Sequence, residues 1–195
     1  MLRKLAPVLV LAATVLGGCE RNLPVDDKDR AVVLRAADLI PFGYGLEKTE
    51  PYETFTKTRY LDGSHELTYE FETPDSEEEN ALYMNVTISV EKSTSDAWAT
   101  HGAQDIGLGL GVGLGVGLKT NGITKREVKD FYKYGDASTF YVLEKNGHPI
   151  GNAFTVRHGK RVYMLLLSGM YFDDAASWKE LIEEKLETFS EYAPT

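Results

Sequence analysis

A single cysteine, Cys19, leaves the chain without a partner for an intramolecular disulfide. Metal-ligand spacing is missing as well. The four histidines, His65, His101, His148 and His158, stand far apart, with no pair four residues apart and no cysteine beside them. A zinc site needs three or four converging nitrogen, sulfur or oxygen ligands, so surface or turn positions account for these histidines better, and neither metal nor cofactor is expected. Positive charge is scarce: 21 Lys and Arg stand against 30 Asp and Glu, for a net charge of −9. That balance argues against nucleic acid as a partner, because a phosphate backbone calls for a basic surface. It argues equally against a broad electrostatic grip on anionic lipid. Beyond the first segment no apolar run is both long and free of glycine, which excludes a further membrane-spanning helix of the usual ~20 residues.

What is present begins at the first residues. Arg3 and Lys4 give a positive start, Leu5 to Leu16 is almost unbrokenly apolar, and Gly17-Gly18-Cys19 follows with small residues. This is the layout of a secretory signal. Leu5 to Gly18 is shorter than the ~20 residues a spanning helix requires. The run Leu16-Gly17-Gly18-Cys19 resembles the lipobox of bacterial lipoprotein precursors. The resemblance implies a diacylglycerol thioether on Cys19, cleavage before it, and acylation of the new amino terminus by palmitate-type chains. The alternative is an ordinary signal peptide carrying a chance cysteine. Lipidation fits better, since it removes a lone thiol from an oxidising compartment. Each buried methylene contributes ~0.8 kcal/mol, so two or three long chains hold firmly where one holds marginally. Glu20 rather than Asp follows the cysteine; by the same resemblance this directs the protein to the periplasmic face of the outer membrane.

Removing residues 1–18 from 195 leaves 177, and losing Arg3 and Lys4 takes the charge from −9 to −11. One domain with a single sizeable core suits that length. Residues 19–30 read as the acylated cysteine and a flexible tether: Glu20 to Arg30 holds Pro24 and the mixed-charge run Asp26 to Arg30. Such a tether would reach ~17–20 Å. The remainder, 31–195, reads as one α+β domain with a glycine-rich insertion at 106–118.

Within the domain, Ala31 to Leu39 fits a short helix or a strand, closed by Pro41, Gly43 and Gly45. Leu67, Tyr69 and Phe71 alternate with polar residues, as do Leu82, Met84, Val86, Ile88 and Val90. Period-2 patterns of this kind make strands with one wet face, and the polar link Thr73 to Asn80 makes the two an antiparallel pair. Ser93 to Gln104 predicts a short helix capped by Thr94 or Ser95. Strands are expected at Thr124 to Tyr134, Thr139 to Lys145, Asn152 to Arg157 and Arg161 to Leu167. Asn146-Gly147 is a strong two-residue hairpin signal, and His158-Gly159-Lys160 marks a second turn. Val162 to Leu167 is apolar on both faces, which predicts a central strand. Trp178, Leu181, Ile182, Leu186 and Phe189 recur at helical spacing after a Ser177/Glu180 capping box. The fold class is α+β: an antiparallel β-sheet with helices packed on one face and a C-terminal amphipathic helix.

That element order, with Gly135-Asp136-Ala137 and Val156-Arg157-His158-Gly159-Lys160-Arg161-Val162-Tyr163 in the second half, resembles PsbP-like domains and small sensor-type bacterial lipoproteins. The resemblance runs from about Ala31 to Tyr192. It implies a non-enzymatic envelope domain and carries over no functional residues.

Glycine occupies every second position from Ile106 to Leu118. As a helix this costs ~1 kcal/mol per glycine against alanine. As a strand it would show one apolar face, with Leu108, Leu110, Val112 and Leu114 as ligand or membrane contacts, and one bare backbone face. A mobile apolar flap is the functional reading; a tolerated low-complexity loop or a packed glycine-lined helix is the plain one. The uniform repeat is no phosphate cradle, lacking the Lys-Ser/Thr or acidic partner of a nucleotide loop. Ser168 lacks the glycine two residues earlier that a nucleophile elbow needs. Glu77-Glu78-Glu79 lacks the spacing of a calcium loop. Arg157, His158, Lys160 and Arg161 form a basic knot that suits an acidic partner, a phospholipid headgroup or simply a wet turn. Tyr132, Tyr134, Tyr141, Tyr163, Tyr171 and Phe172 could stack on sugars or apolar ligands, though most should fill the core.

The expectation is therefore a lipid-anchored envelope module without catalytic residues. It would bind, sense or assist through an envelope protein or a small apolar ligand. The alternatives are an envelope enzyme of hydrolase type, with its site assembled by folding, and a structural subunit of an envelope assembly.

Overall fold

The computed structural model describes residues 21–44, 52–73, 81–114 and 122–195, with the backbone alone at 106 and 108–114. The leader and Leu16-Gly17-Gly18-Cys19 lie outside these residues, as do Glu77-Glu78-Glu79 and the end of the glycine tract, Gly115 to Leu118.

The elements are β1 (Arg21–Leu23), α1 (Asp27–Val32), a 3-10 helix (Ala36–Phe42), β2 (Tyr52–Arg59), β3 (His65–Glu72), β4 (Tyr83–Val90), α2 (Thr94–Leu114), β5 (Ile123–Glu127), β6 (Ala137–Lys145), β7 (His148–His158), β8 (Arg161–Ser168) and α3 (Ala175–Glu191). The strands form one 8-stranded sheet ordered β1-β2-β3-β4-β8-β7-β6-β5, antiparallel at every pairing. The α+β class and the antiparallel sheet stand. Two four-stranded runs meet at β4 and β8, and α2 is the connection between them. The central place of β8 explains why Val162 to Leu167 is apolar on both faces.

Register builds the core. Leu67, Tyr69 and Phe71 face Ile88, Val86 and Met84, which in turn face Tyr163, Leu165 and Leu167. Phe154 and Phe140 extend the same layer. Trp178 of α3 closes over it, its ring centroid 4.9 Å from Phe140 and 5.4 Å from Phe154. With Leu181, Ile182, Leu186 and Phe189 also buried, α3 lies on this face. So does the N-terminal segment: the Tyr163 and Tyr69 hydroxyls accept from the amides of Leu34 (3.2 Å) and Ala36 (3.1 Å). Deep burial holds both phenols well above the ordinary tyrosine range.

One expectation is corrected here: the helices do not share a face. The opposite side carries a smaller apolar cluster of Ile123, Tyr141, Leu143, Ala153 and Leu166, and α2 packs over β5, β7 and β8, where Tyr141 bonds to its Asp105. Alternation makes this unavoidable. Positions 141, 143 and 153 point away from the layer that holds 140, 142 and 154, and being apolar they require their own cover.

The flexible tether is corrected too, over its described part. Arg21–Leu23 pairs with β2. Asp26 caps α1 in a reciprocal capping box with Asp29, and Asp29 is buried in an ion pair with Lys57. The predicted short helix at Ser93 runs on to Leu114, and its cap is Ser93, whose hydroxyl accepts from the Asp96 amide at 3.1 Å. The strand expected to reach Tyr134 stops at Glu127. Asp130 turns the chain at φ 59, and Phe131 folds back to stack on Phe140 at 4.0 Å. Asn146 and Gly147 adopt the predicted positive φ, 54 and 77.

Candidate functional site

The residues that gather chemistry lie between α2 and the sheet. Tyr141, on the α2 side of β6, donates its hydroxyl to Asp105 Oδ1 at 2.5 Å. From β5, Lys125 donates to the Asp105 carbonyl at 2.8 Å, stands 3.8 Å from its carboxylate and places its ammonium 4.1 Å from the Tyr141 ring centre. Burial first, and then the Asp105 carboxylate, push the Tyr141 phenol strongly upward. The phenol therefore stays a donor, and the Asp105 carboxylate lies between two partners. This is an arrangement for holding α2 on the sheet, with every charged member engaged.

Along the same seam several buried polar atoms have no hydrogen-bond partner among the described residues: His101 Nε2, Gln104 Oε1, Thr155 Oγ1 and Arg157 Nε. His101 and Gln104 come from α2. Thr155 and Arg157 come from β7, on the side that carries Ala153. An unpaired buried polar group costs ~1–3 kcal/mol, so a seam with several of them suits small polar molecules, water included. Burial is the main cause of the lowered pKa of His101; Arg157 adds to it, and Asp105 opposes both. His101 is thus a neutral imidazole at neutral pH, able to donate or accept according to its tautomer.

The other residues singled out in the sequence do not meet. His65 opens β3, while His148 and His158 lie at opposite ends of β7. Among the described residues no group of three metal-ligating side chains forms. Ser168 ends β8 opposite Tyr83 and Gly151. The three cations of the basic knot are spent on structure. Arg157 donates to Asp136 at 3.0 Å, Lys160 to the Lys92 carbonyl at 2.8 Å, and Arg161 to the Tyr192 carbonyl at 2.6 Å. Tyr134 caps the Leu186 carbonyl at 2.8 Å. Tyr163 and Phe172 are core, Tyr132 packs near Phe154 with burial pushing its phenol up to about 12, and Tyr171 alone of the six is largely exposed.

The glycine tract is helical through Leu114. A helical backbone sets positions 108 and 112 on one row and 110 and 114 on another, so the four apolar positions do not share a face as they would in an extended flap. Trp98, on the first turns of α2, is 70% exposed. Sequence reasoning missed Asp105, Gln104, Lys125 and Thr155. Their one signal was negative: Asp105 is the lone carboxylate in a long uncharged stretch, and a buried partner explains it.

No protein-family model matches the chain, and comparison with curated proteins and with solved structures finds no similar protein.

Proposed function

We propose that this chain is a lipid-anchored lipoprotein of the cell envelope, acting at the periplasmic face of the outer membrane as a non-enzymatic binding, sensing or accessory module. The observation that carries the reading is Leu16-Gly17-Gly18-Cys19 behind a basic start and a short apolar run. The PsbP-like order of elements supports the same class. So does the use of the titratable groups beneath α2: Tyr141, Asp105 and Lys125 satisfy one another and tie secondary structure together. The partner is an envelope protein or a small ligand, met along α2 and the seam it covers.

Metabolic labelling with an alkyne fatty acid tests the anchor. The wild-type chain should carry the probe and leave the membrane only with detergent. The Cys19→Ser variant should carry none and appear in the soluble fraction. An unlabelled wild type, or a Cys19→Ser variant held equally well by membranes, would overturn the proposal.

A further inference from the structure

Arg21 and Arg59 oppose each other directly at the edge of the sheet. They are register partners in the β1–β2 ladder, which sets their Cα atoms ~4.5–5.5 Å apart with both side chains leaving the same side. Both are exposed. The next residue in that row is a histidine, His65 on β3. Like charges placed directly across a ladder destabilise it, and the usual remedy is an ion pair with a neighbouring carboxylate. Among the described residues no ion pair involves either arginine. In a chain of net charge −9, two exposed guanidinium groups side by side at one corner, with no ion pair among the described residues, are the local exception.

The second observation is covalent. β1 begins at Arg21, two residues beyond Cys19. Two peptide units span at most ~7 Å, whatever path they take. An acylated Cys19 therefore brings Arg21 into the headgroup layer of the membrane that receives its chains. The flexible spacer that would have let the domain drift is instead strand and helix. The corner of the fold that must lie nearest the lipid is also the one that presents these paired, exposed arginines.

We infer that Arg21 and Arg59 form a phosphate-binding contact for an anionic phospholipid headgroup in the anchoring membrane, so that the β1 edge of the sheet faces the bilayer. The inference rests on the lipid-anchor reading and adds an orientation to it. Guanidinium groups present rigid forks of donors that match phosphate oxygens, and a phosphate between the two removes the cross-strand repulsion. The contact is local, which reconciles it with an acidic body that repels anionic lipid elsewhere. Its consequence follows from strand order: β5 lies at the opposite edge, and seven strand spacings of ~4.8 Å put it roughly 33 Å from β1. The half of the sheet that carries α2 is turned away from the lipid, towards soluble or periplasmic partners.

The test uses the full-length acylated protein in phosphatidylcholine vesicles with and without phosphatidylglycerol. Because Cys19 is blocked by lipid, a single fluorophore can be placed at Asn22→Cys on the near edge or at Thr124→Cys on the far edge. Quenching by a headgroup spin-labelled lipid reports proximity. The expected result is strong quenching at the near edge that increases with phosphatidylglycerol, and weak quenching at the far edge. In Arg21→Gln/Arg59→Gln that increment should be lost while the protein still floats with the vesicles, with a melting temperature equal to or above wild type. Unchanged near-edge quenching in the floating double variant overturns the inference and leaves the anchor intact. Millimolar inorganic phosphate that abolishes the increment also overturns it, assigning the pair to free phosphate. Flotation of Cys19→Ser like wild type shows that the anchor reading itself has failed.

Discussion

Lys57 Nζ lies 2.9 Å from Asp29 Oδ2, and each side chain is only 1% exposed. The rest of the carboxylate is occupied as well: it accepts from the Asp26 amide at 2.8 Å and from the Tyr192 hydroxyl at 2.6 Å. One buried ion pair therefore joins α1, β2 and the residue that follows α3. Burial and then the Asp29 carboxylate raise the Tyr192 phenol far above its usual range, so it is a donor at neutral pH. Removing one partner strands the other charge in the interior, at a cost of about 3–5 kcal/mol, whereas replacing both with apolar residues is often neutral or stabilising. Asp29→Ala should lower the urea midpoint sharply, and Asp29→Leu/Lys57→Met should recover most of the loss. A double variant no better than Asp29→Ala would show that the pair is not what Asp29 supplies.

This cluster also marks where the sequence stops being readable. Alternation around Leu67 to Phe71 and Met84 to Val90 predicts β3 and β4 because each strand buries one face uniformly. Asn146-Gly147 predicts its hairpin because only the local backbone decides a tight turn. Asp26 to Arg30 reads as a solvated tether because its decisive partner, Lys57, lies 28 residues away. β2 escapes for the matching reason: a lysine occupies a core-facing position between Phe55 and Arg59, and the apolar period breaks there. The placement of α2 depends on Tyr141 meeting Asp105 across 36 residues. No local pattern encodes which face a crossover helix will take. Of the candidate site, Tyr141, His101 and Arg157 are visible as residues, and the seam that unites them is not.

Glycine substitutions should separate tolerance from necessity. At Gly151 an added Cβ would stand 2.0 Å from the Leu167 carbonyl oxygen in the neighbouring strand. Backbone cannot yield as a side-chain tip can, so Gly151→Ala should cost at least about 1–3 kcal/mol. At Gly102 and Gly107, inside α2, a Cβ meets open space. Alanine there should stabilise the helix by up to ~1 kcal/mol each. Thermal melts of the three single variants decide both claims, and a loss at Gly102 would mean that α2 needs its glycines for something other than fitting the fold.

His101 gives the seam a pH dependence with a definite sign. Its folded pKa lies below the ordinary 6.5 because burial dominates, and Arg157 reinforces burial against Asp105. The unfolded chain therefore takes up the proton first. The stability that His101 contributes is complete above about pH 6.5 and drains away as pH falls towards the lower folded value. His65 is shifted in the same direction, by burial and then by Arg59 and Lys57. His101→Gln should therefore flatten, without abolishing, the fall in melting temperature between about pH 7 and pH 5. An unaltered slope would place His101 in water rather than beneath the helix.

Tyr141 should matter more to α2 than to the sheet. Its hydroxyl supplies a 2.5 Å bond to Asp105, while its ring belongs to the small apolar cluster on that face and supports the Lys125 ammonium. Tyr141→Phe keeps the ring and removes only the donor. Hydrogen bonds to a charged group contribute about 1.5–3 kcal/mol, and Lys125 remains to hold part of the carboxylate, so the loss should fall near the lower end. Because the bond ties a helix to a sheet already closed by its own ladders, the effect should be local. Amide exchange along α2 should quicken, while β7 and β8 amides, protected by pairing on both sides, keep their wild-type rates. If instead the sheet and α2 lose protection together, the crossover helix is part of the cooperative core. A ligand entering the seam would then have to bind without displacing it.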